Sequence, residues 1–439
     1  MLAAMPQPLL RDEAVRLLQD LLCVNTVNPP GNETAAAELL RAYLEENGVA
    51  CELYARDPAR ANLIARIPGS GEGPRLLLLS HTDTVLADPA EWTVDPWCGK
   101  VQDGCVWGRG ALDMKGQVAA SAVAIASLAR EGFRPAGDLI FAATADEEVG
   151  DVHPLGLEWL CEAHPDAVRC DYAINEGAGD RLELGGRVFY TCAAAEKISS
   201  PFTMIVQGRS GHAALPGIAD NALVRAARLI ERIAEYHEEP RLSVETEAFL
   251  ATLTGSVPPP ADDALETAHA VDPAAAEILE PLLTTTLSPT MITASDKRNV
   301  IPGLCEVTVD CRLLPGDSPE AVDSALRAWL DSNEYQLVWR RPQGGTRSRL
   351  DTPLWSAIET FVGSVEPEAA VAPLCVAGFT DSHWLRASFD AVVYGFFPQK
   401  EMSAELAARL VHSADERIAV ADVELGVDFL RHAAQAICR

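Results

Sequence analysis

The chain has 439 residues, of which 48% are hydrophobic and 23% are charged, and its formal net charge is −29. This length exceeds one ordinary hydrophobic core, so two or three domains are expected, and the apolar content excludes a largely disordered chain. A surface this acidic repels phosphate backbones and anionic lipid, which disfavours a nucleic-acid or membrane-surface role.

The cysteines and the start of the chain bear on its location. The eleven cysteines are odd in number and none has CxxC spacing, which favours free thiols in a reducing compartment. The first residues lack a basic segment followed by a long apolar core, so no signal peptide is expected. No run approaches the roughly 18 apolar residues of a membrane span. We therefore expect a cytoplasmic protein without a membrane segment.

Helices and strands alternate in the first part of the chain. Helical spacing of apolar residues predicts helices over 12–22 and 34–46, separated by a loop of helix breakers at 28–32. Short apolar runs predict buried strands over 75–79, 138–144 and 171–175, and an alanine-rich helix is predicted over 114–130. This alternation predicts an α/β fold, with a mixed, mainly parallel sheet flanked by helices.

The pattern changes near residue 196. A strand over 202–207, an amphipathic helix over 219–236, a strand over 306–314, a helix over 319–330 and a strand over 335–339 suggest a β-α-β-β-α-β-like unit. The loop 211–216 and the stretch 237–289 are interpreted as irregular, the latter with one or two short helices. A strand over 391–396 and a helix over 419–437 return to the first pattern. We predict a catalytic domain of residues 1–196 and 346–439, interrupted by an α+β domain of residues 197–345.

His81 follows the first buried strand, and Asp83 lies two residues further on. An imidazole at a strand end is a natural zinc ligand, and a nearby carboxylate can accept its second N–H. A turn in which His81 caps a helix is the alternative interpretation.

Acidic residues follow a glycine turn and the second strand. Asp113 precedes the long helix, where a lone aspartate is usually an N-cap. Asp146, Glu147 and Glu148 follow the strand 138–144. Adjacent acids on a loop are usually just solvated, but facing a crevice they repel one another unless cations neutralise them. Adjacent side chains diverge, so we assign Glu148 to a metal and Glu147 to proton transfer.

Two further candidate ligands also lie at the end of a predicted strand or the start of a predicted helix. Glu176 follows the strand 171–175, and His412 precedes the last helix. In an open α/β sheet such ends converge on one crevice. Three carboxylates and two imidazoles form the mixed nitrogen and oxygen set that zinc prefers. The predicted metal ligands are therefore His81, Asp113, Glu148, Glu176 and His412.

Three motifs carry a resemblance to a known family. They are His81-Thr82-Asp83-Thr84-Val85, Gly108-Arg109-Gly110 with Asp113-Met114-Lys115-Gly116, and Asp146-Glu147-Glu148-Val149-Gly150. Together they resemble the M20 metallopeptidase family, which includes aminoacylase-1, succinyl-diaminopimelate desuccinylase, acetylornithine deacetylase and glutamate carboxypeptidase. Gln117 departs from this pattern, because a glycine is frequent at that position.

The resemblance implies a zinc-exopeptidase-like catalytic domain that holds two zinc ions, with cobalt or manganese as alternatives. It implies that Asp113 bridges the ions, that His81 and Glu176 complete one site, and that Glu148 and His412 complete the other. It further implies Glu147 as general base and acid, and Asp83 as the group behind His81.

The resemblance also assigns roles in the insert, which corresponds to a ferredoxin-like lid and dimerisation domain. His212 matches a lid histidine that reaches across a homodimer to the scissile carbonyl. Asn299 and Arg312 match segments that bind a substrate carboxylate, although Arg312 equally fits a simple partner for Asp310. Gly378 and Thr380 match a loop lining the substrate pocket, in which Phe379 replaces a common glycine.

The implied activity is hydrolysis of an amide bond in N-acyl amino acids or short peptides that have a free carboxylate. Glutamate at position 176 resembles the family's deacylases and carboxypeptidases, and we prefer an N-acyl-amino-acid deacylase to a dipeptidase or carboxypeptidase. A binding protein on an inactive hydrolase fold is the alternative from another class. Intact Glu147 and the five predicted ligands argue against it.

Overall fold

The computed structural model describes residues 9–149 and 154–439. Its backbone divides into two compact units. The first unit comprises Met1–Ala194, Ser348–Leu374 and Thr380–Arg439, and the second comprises Ala195–Arg347 with Cys375–Phe379. Within the described residues, no helix has both the length and the apolar character needed to cross a membrane.

The elements up to residue 196 are α1 (Leu10–Leu22), α2 (Glu33–Glu46), β1 (Ala50–Tyr54), β2 (Asn62–Ile67), β3 (Leu76–His81), β4 (Lys100–Gln102), β5 (Cys105–Trp107), α3 (Gly116–Arg130), β6 (Leu139–Thr144), α4 (Leu157–Ala163), α5 (Pro165–Val168), β7 (Tyr172–Asn175), β8 (Arg181–Leu184) and β9 (Arg187–Glu196). The next elements are β10 (Ile198–Ser199), β11 (Phe202–Gln207), β12 (Gly211–His212), α6 (Ala222–Ala234), α7 (Val244–Thr254), α8 (Ala264–Val271), α9 (Pro273–Leu279), β13 (Thr286–Thr293), β14 (Val300–Ile301), β15 (Leu304–Leu313), α10 (Pro319–Leu330), β16 (Tyr335–Trp339) and β17 (Gln343–Gly344). The chain ends with α11 (Pro353–Val365), β18 (Ala370–Val376), α12 (Ser382–Phe389), β19 (Val392–Gly395), α13 (Ala404–Leu410), β20 (Arg417–Ala419) and α14 (Val420–Ile437).

A mixed nine-stranded sheet forms the centre of the first unit. Its order is β1-β2-β6-β3-β7-β19-β9-β18, with β8 paired to β9. The four central strands β6, β3, β7 and β19 are parallel, whereas β1, β2, β8 and β9 pair in antiparallel fashion. Parallel strands end at the same edge of a sheet, so the residues that follow β3, β6 and β7 are neighbours.

Helices bury the central strands of this sheet. Every residue of β3 and β6 is buried, as expected for strands covered on both faces. The alanine-rich α3 packs against α1 and α14, and α11 packs against α14. Small side chains allow this close approach, and 13 of the 15 residues of α3 are buried. The α/β class predicted from the sequence is confirmed.

The second unit contains an antiparallel sheet with helices on one face. The chain order β11-α6-β13-β15-α10-β16 gives the spatial order β16-β11-β15-β13, a ferredoxin-like arrangement. Alternate residues of β15 are buried, and they form one core with apolar residues of α6 and α10. Strand β13 pairs only with β15 in the described part of the chain, so its other edge is open.

Two local predictions were wrong. The stretch 237–289, predicted as irregular with one or two short helices, is more helical than that, because α7, α8 and α9 occupy much of it. Ser243 and Thr246 form a capping box at the start of α7, and the Asp272 side chain caps α9. The long helix begins at Gly116 rather than at residue 114, because a π-helical turn over Ala111–Lys115 precedes it. Asp113 lies in this turn and has non-helical dihedral angles.

Candidate metal centre

The sheet brings predicted ligands together at one edge. His81 is the last residue of β3, Glu148 follows β6, and Glu176 directly follows β7. Because these three strands are parallel and adjacent, their carboxyl ends present the side chains to the same region. The turn with Asp113 and the turn with His412 reach the same place, as the following contacts show.

The Asp113 carboxylate lies between two histidines. Its Oδ1 is 3.1 Å from Nε2 of His81, and its Oδ2 is 2.9 Å from Nε2 of His412. The N-cap alternative therefore does not describe this side chain, which faces the imidazoles. Burial opposes ionisation of Asp113, but hydrogen bonds with His412 and His81 outweigh it and lower its pKa.

A second carboxylate accompanies each histidine. Nε2 of His81 is 3.5 Å from Oε1 of Glu176, and Nε2 of His412 is 3.4 Å from Oε2 of Glu148. The contacts thus define two sets of three residues that share Asp113. Ligand atoms of His81, Asp113 and Glu148 also lie within 4.8 Å of one another, as do those of His81, Glu147 and Glu176. We assign the sets from the direct contacts, since these join each imidazole to its nearest carboxylates.

The donor set fits divalent cations. Bonds of about 2.0–2.2 Å to a tetrahedral zinc place neighbouring ligand atoms roughly 3.3 Å apart, and the nitrogen–oxygen distances in the two sets are 2.9–3.5 Å. Oε1 of Glu148 is buried without a hydrogen-bond partner among the described residues. A buried carboxylate oxygen left this way is costly, and a cation would satisfy it.

The surrounding carboxylates raise the pKa of both histidines. Burial opposes a proton on His81, but Glu176, Asp113 and Asp83 outweigh it and raise its pKa well above the usual value. Hydrogen bonds with Asp113 and Glu148 raise the pKa of the half-exposed His412 to about 10. Both imidazoles therefore hold protons at neutral pH in the metal-free cluster.

Asp83 lies behind His81 and also organises the acidic loop. Nδ1 of His81 is 3.1 Å from the backbone oxygen of Asp83 and 3.5 Å from its carboxylate, so the backbone contact is the closer one. The carboxylate accepts the backbone N–H groups of Glu147 and Glu148 at 3.2 and 3.1 Å. It thus fixes the loop that carries both a predicted ligand and the predicted base.

Glu147 lies beside the cluster rather than between the histidines. Burial and the neighbouring Glu176 raise its pKa well above the usual value, although His81 acts in the opposite direction. A carboxyl group with a raised pKa can both accept and return a proton near neutral pH.

A buried network of hydrogen bonds and ion pairs also supports the loop that carries Glu147. Nδ2 of Asn28 donates to Asp83 at 2.9 Å and to Asp146 at 3.2 Å. Arg60 forms a buried ion pair with Glu33 and donates to Asp146 at 3.3 Å. The sequence indicates only a run of helix breakers at the loop containing Asn28, because the partners of Asn28 lie more than 50 residues away.

Glu416 and Arg109 form a second support, which the sequence analysis also missed. The buried Glu416 carboxylate accepts N–H groups of Gly110, Leu112 and Asp113 at 2.8–3.0 Å. Arg109 donates to Glu416 at 2.5 Å and to the backbone oxygen of Ser413 at 3.0 Å. One ion pair therefore joins the turn of Asp113 to the turn of His412. The only sequence signal for this ion pair was that Arg109 lies close to Asp113, and Glu416 close to His412, along the chain.

The predicted substrate residues belong mainly to the second unit. Pairing of β12 with β14 brings His212 beside Val300, and the backbone oxygen of Asn299 accepts the N–H of Ala213. Nδ1 of the exposed His212 accepts the N–H of Ala214 at 3.1 Å. In a neutral ring this leaves the proton on Nε2, where it can be donated to a ligand.

Arg312, Gly378 and Thr380 have separate surroundings. Nε of Arg312 donates to both oxygens of Asp310 at 3.0–3.1 Å, which fits the simpler of its two interpretations. Gly378 belongs to the second unit and Thr380 to the first, where its Oγ1 accepts the N–H of Ser382. Gly150 of the acidic motif lies outside the described residues.

Comparison with known proteins assigns the family. The family model for Peptidase family M20/M25/M40 matches residues 77–436. The chain belongs to this family. It is thus a metal-dependent amidohydrolase or peptidase of the M20 type, and the resemblance drawn from the sequence motifs is confirmed.

Individual relatives extend over nearly the whole chain. A succinyl-diaminopimelate desuccinylase of Cereibacter sphaeroides is 29% identical over 426 residues, which cover 94% of this chain and 95% of the relative. An M20 family metallo-carboxypeptidase from Sulfolobus solfataricus superposes with a TM-score of 0.74 at 18% identity, covering 97% of this chain and 99% of the other. A dinuclear metal-binding M20 peptidase from Bacillus subtilis superposes with a TM-score of 0.59 at 14% identity, covering 98% of each chain. At these identities the two structures show the shared fold.

Proposed function

We propose that the chain is a two-metal hydrolase that cleaves the amide bond of N-acyl amino acids. The observation that carries this proposal is the Asp113 carboxylate between His81 and His412, each of which has its own second carboxylate. Zinc is the metal that this mixed donor set favours, with cobalt and manganese as alternatives.

His81, Asp113 and Glu176 would hold one ion, and His412, Asp113 and Glu148 the other. When bound, such ions lower the pKa of water and polarise a carbonyl group. Asp83 keeps His81 oriented and fixes the Glu147–Glu148 backbone, while the Glu416–Arg109 pair keeps the turns of Asp113 and His412 together. The ligands are thus held in place before any substrate arrives.

Glu147 would supply the proton transfers. Its carboxylate would accept a proton from the attacking water and return it to the nitrogen of the departing amine. Burial and the neighbouring Glu176 raise the pKa of Glu147, which favours uptake of the water proton by this carboxylate. Glu147 lies beside the two metal sets and is not needed as a ligand, so this role and metal binding are separable.

Residues of the second unit would bind the rest of the substrate. The proton on Nε2 of His212 is suited to stabilise the oxyanion that forms from the carbonyl. Asn299, Arg312 and the loop of Gly378 and Thr380 would contact the free carboxylate and its surroundings. For Arg312 this requires sharing its guanidinium between Asp310 and the substrate.

A homodimer is part of this proposal, since His212 is expected to act on the partner's substrate. The open edge of β13 carries the exposed apolar residues Met291 and Ile292, and Leu215 and Ile218 are exposed shortly after His212. An unpaired strand edge with apolar side chains is a natural pairing surface. A monomer with full activity in solution would rule out the role of His212 across the dimer.

The preference for a deacylase is supported by the desuccinylase relative, whose similarity spans 94% of this chain. The shared fold with a metallo-carboxypeptidase does not separate the two activities. Peptide cleavage therefore remains the alternative within the family, and cytoplasmic location remains an expectation from the cysteines.

The decisive experiment is a substrate screen with zinc-reconstituted protein. It compares acetylated and succinylated amino acids with dipeptides, and it uses Glu147→Gln as the matched control. We expect hydrolysis of acylated amino acids, and a loss of about 10²–10⁴-fold in kcat in the variant at unchanged metal content. Cleavage of dipeptides alone would favour the peptidase alternative. A protein that binds no metal and hydrolyses nothing would instead be a binding protein on an inactive fold.

A further inference from the structure

A small cavity next to the predicted ligands is not explained by the proposed chemistry. It has a volume of about 230 Å³ and lies wholly within the first unit, with Asp113 and Glu176 among its lining residues. Ligand pockets for whole drug-sized molecules are usually larger than about 300 Å³. This cavity therefore matches one end of a substrate rather than a complete one.

The walls of the cavity are mainly apolar, and three further polar side chains line it besides the predicted ligands Asp113 and Glu176. Leu112, Met114 and Phe397 contribute apolar surface together with alanines of α13. The polar side chains are Gln117, Asp180 and Gln399. Polar groups at a few positions in an apolar pocket usually determine which ligand is accepted.

Asp180 is the acidic lining residue that is not among the predicted metal ligands. Its backbone is fixed, because its N–H donates to Thr191 at 3.1 Å and its carbonyl accepts the N–H of Thr191 at 3.0 Å. No ion pair within the described residues involves its carboxylate, and no lysine, arginine or histidine is among the described lining residues. Burial raises the pKa of Asp180 to about 6. A carboxylate in this position lacks a positive partner.

The two glutamines add unmet hydrogen-bonding capacity. Nε2 of Gln117 donates to the backbone oxygen of Leu79 at 3.3 Å, which leaves its amide oxygen as an acceptor. Oε1 of Gln399 is buried without a partner in the described structure. Gln117 also stands where the family resemblance places a frequent glycine, and its side chain narrows the cavity relative to a glycine at that position.

We propose that this cavity selects substrates whose end carries a positive charge, an ammonium or a guanidinium group. Such a group would pair with Asp180 and donate hydrogen bonds to the glutamine side chains. A carboxylate end would meet Asp180 where no lysine, arginine or histidine lies among the described lining residues. A purely apolar end would leave the Asp180 carboxylate without an ion-pair partner and the buried amide oxygen of Gln399 without a donor. The inference rests on the proposed amide hydrolysis and names its substrate class.

The test compares substrates that differ only in this charge. One arm places the charge in the amino-acid half and compares N-acetyl-lysine, N-acetyl-norleucine and N-acetyl-glutamate. A second arm places it in the acyl half and compares 6-aminohexanoyl-alanine with hexanoyl-alanine. In at least one arm we expect the cationic compound to have a kcat/KM about 10- to 100-fold above its uncharged counterpart.

Variants connect that preference to the cavity. Asp180→Asn should reduce the cationic preference to about twofold or less. Gln117→Ala removes a hydrogen-bond acceptor but no charge, so it should weaken the preference less than Asp180→Asn does and should improve turnover of bulkier ends. The exposed Asp262→Asn serves as the matched control for removal of one acidic charge. Unfolding curves establish that each variant is folded.

Two results would overturn the inference. One is a wild-type enzyme that prefers the glutamate or norleucine compound and shows no cationic preference in the acyl arm. The other is an Asp180→Asn variant that loses activity equally toward charged and uncharged substrates, as a merely structural residue would. If no amide is cleaved, the proposed function fails instead. Calorimetric binding of lysine against norleucine, and of 6-aminohexanoate against hexanoate, to metal-loaded protein then tests the cavity without turnover.

Discussion

Replacing Glu416 by glutamine tests whether one buried ion pair organises the metal centre. The carboxylate accepts three backbone N–H groups, from Gly110, Leu112 and Asp113, and one N–H of Arg109. The amide keeps only one acceptor oxygen and turns an N–H₂ group toward former donors. Breaking a buried pair in this way costs about 3–5 kcal/mol, because the guanidinium stays buried without its partner. We expect a decrease of that size in the free energy of unfolding of the chelator-treated protein.

The same substitution should weaken metal binding. Arg109 also donates to the backbone of Ser413, next to His412, so losing its orientation disturbs both turns at once. Groups that orient metal ligands typically contribute 10- to 100-fold to affinity, and we expect a loss in that range in a competition titration with a chromophoric chelator. The exposed Glu401→Gln is the control. A Glu416→Gln protein within about 1 kcal/mol of the wild type, with unchanged metal affinity, would refute this reasoning.

Three further predictions concern the same site. Because acidic neighbours raise the pKa of His81 and His412, and a histidine binds metal only when neutral, metal binding at pH 7 should release at least two protons and strengthen as the pH rises. Protons held by Glu176 and Asp381 would add to this number; calorimetry in buffers of different ionisation enthalpy would contradict the prediction if it found no release. Arg60→Met removes the cation beside Asp146 and should lower kcat by about tenfold at nearly constant metal content, as measured by steady-state kinetics with metal analysis. His212→Ala should lower kcat by about 10²–10³-fold; unaltered turnover would remove it from the mechanism.

The sequence was sufficient for the parts of the fold that follow from local patterns. Apolar runs such as Leu76–Leu79 predict buried strands, and the strand ends place His81 and Glu176 without any tertiary information. Helix α10 and strands β11 and β16 begin and end where the pattern predicts, because strong signals such as Ser318-Pro319 mark the boundaries. In these regions the local sequence and the tertiary contacts favour the same secondary structure.

The remaining features depend on contacts between distant residues. Glu416 lies more than 300 residues from the turn that it supports, and Asn28 is 118 residues from Asp146. Such contacts between distant residues leave no periodic pattern in the sequence. The helical content of residues 244–279 was underestimated at one or two short helices, because prolines and short polar gaps interrupt the pattern, although Ser243 and Asp272 are ordinary N-caps. Local rules predict the types and positions of the proposed ligands, whereas the groups that would orient them are visible only in the folded chain.

The charges of the cluster give an independent reason for two cations. Six acidic side chains, Asp83, Asp113, Glu147, Glu148, Glu176 and Asp381, surround two imidazoles at one sheet edge. Burial raises the pKa of Glu176 to about 7 and that of Asp381 to about 8, so the metal-free cluster must take up protons to persist. Two divalent ions supply four positive charges and would replace those protons. The buried carboxylates repel one another, and metal binding would offset this unfavourable free energy. Metal removal should therefore destabilise the first unit most at alkaline pH, where protons are no longer available to neutralise the carboxylates.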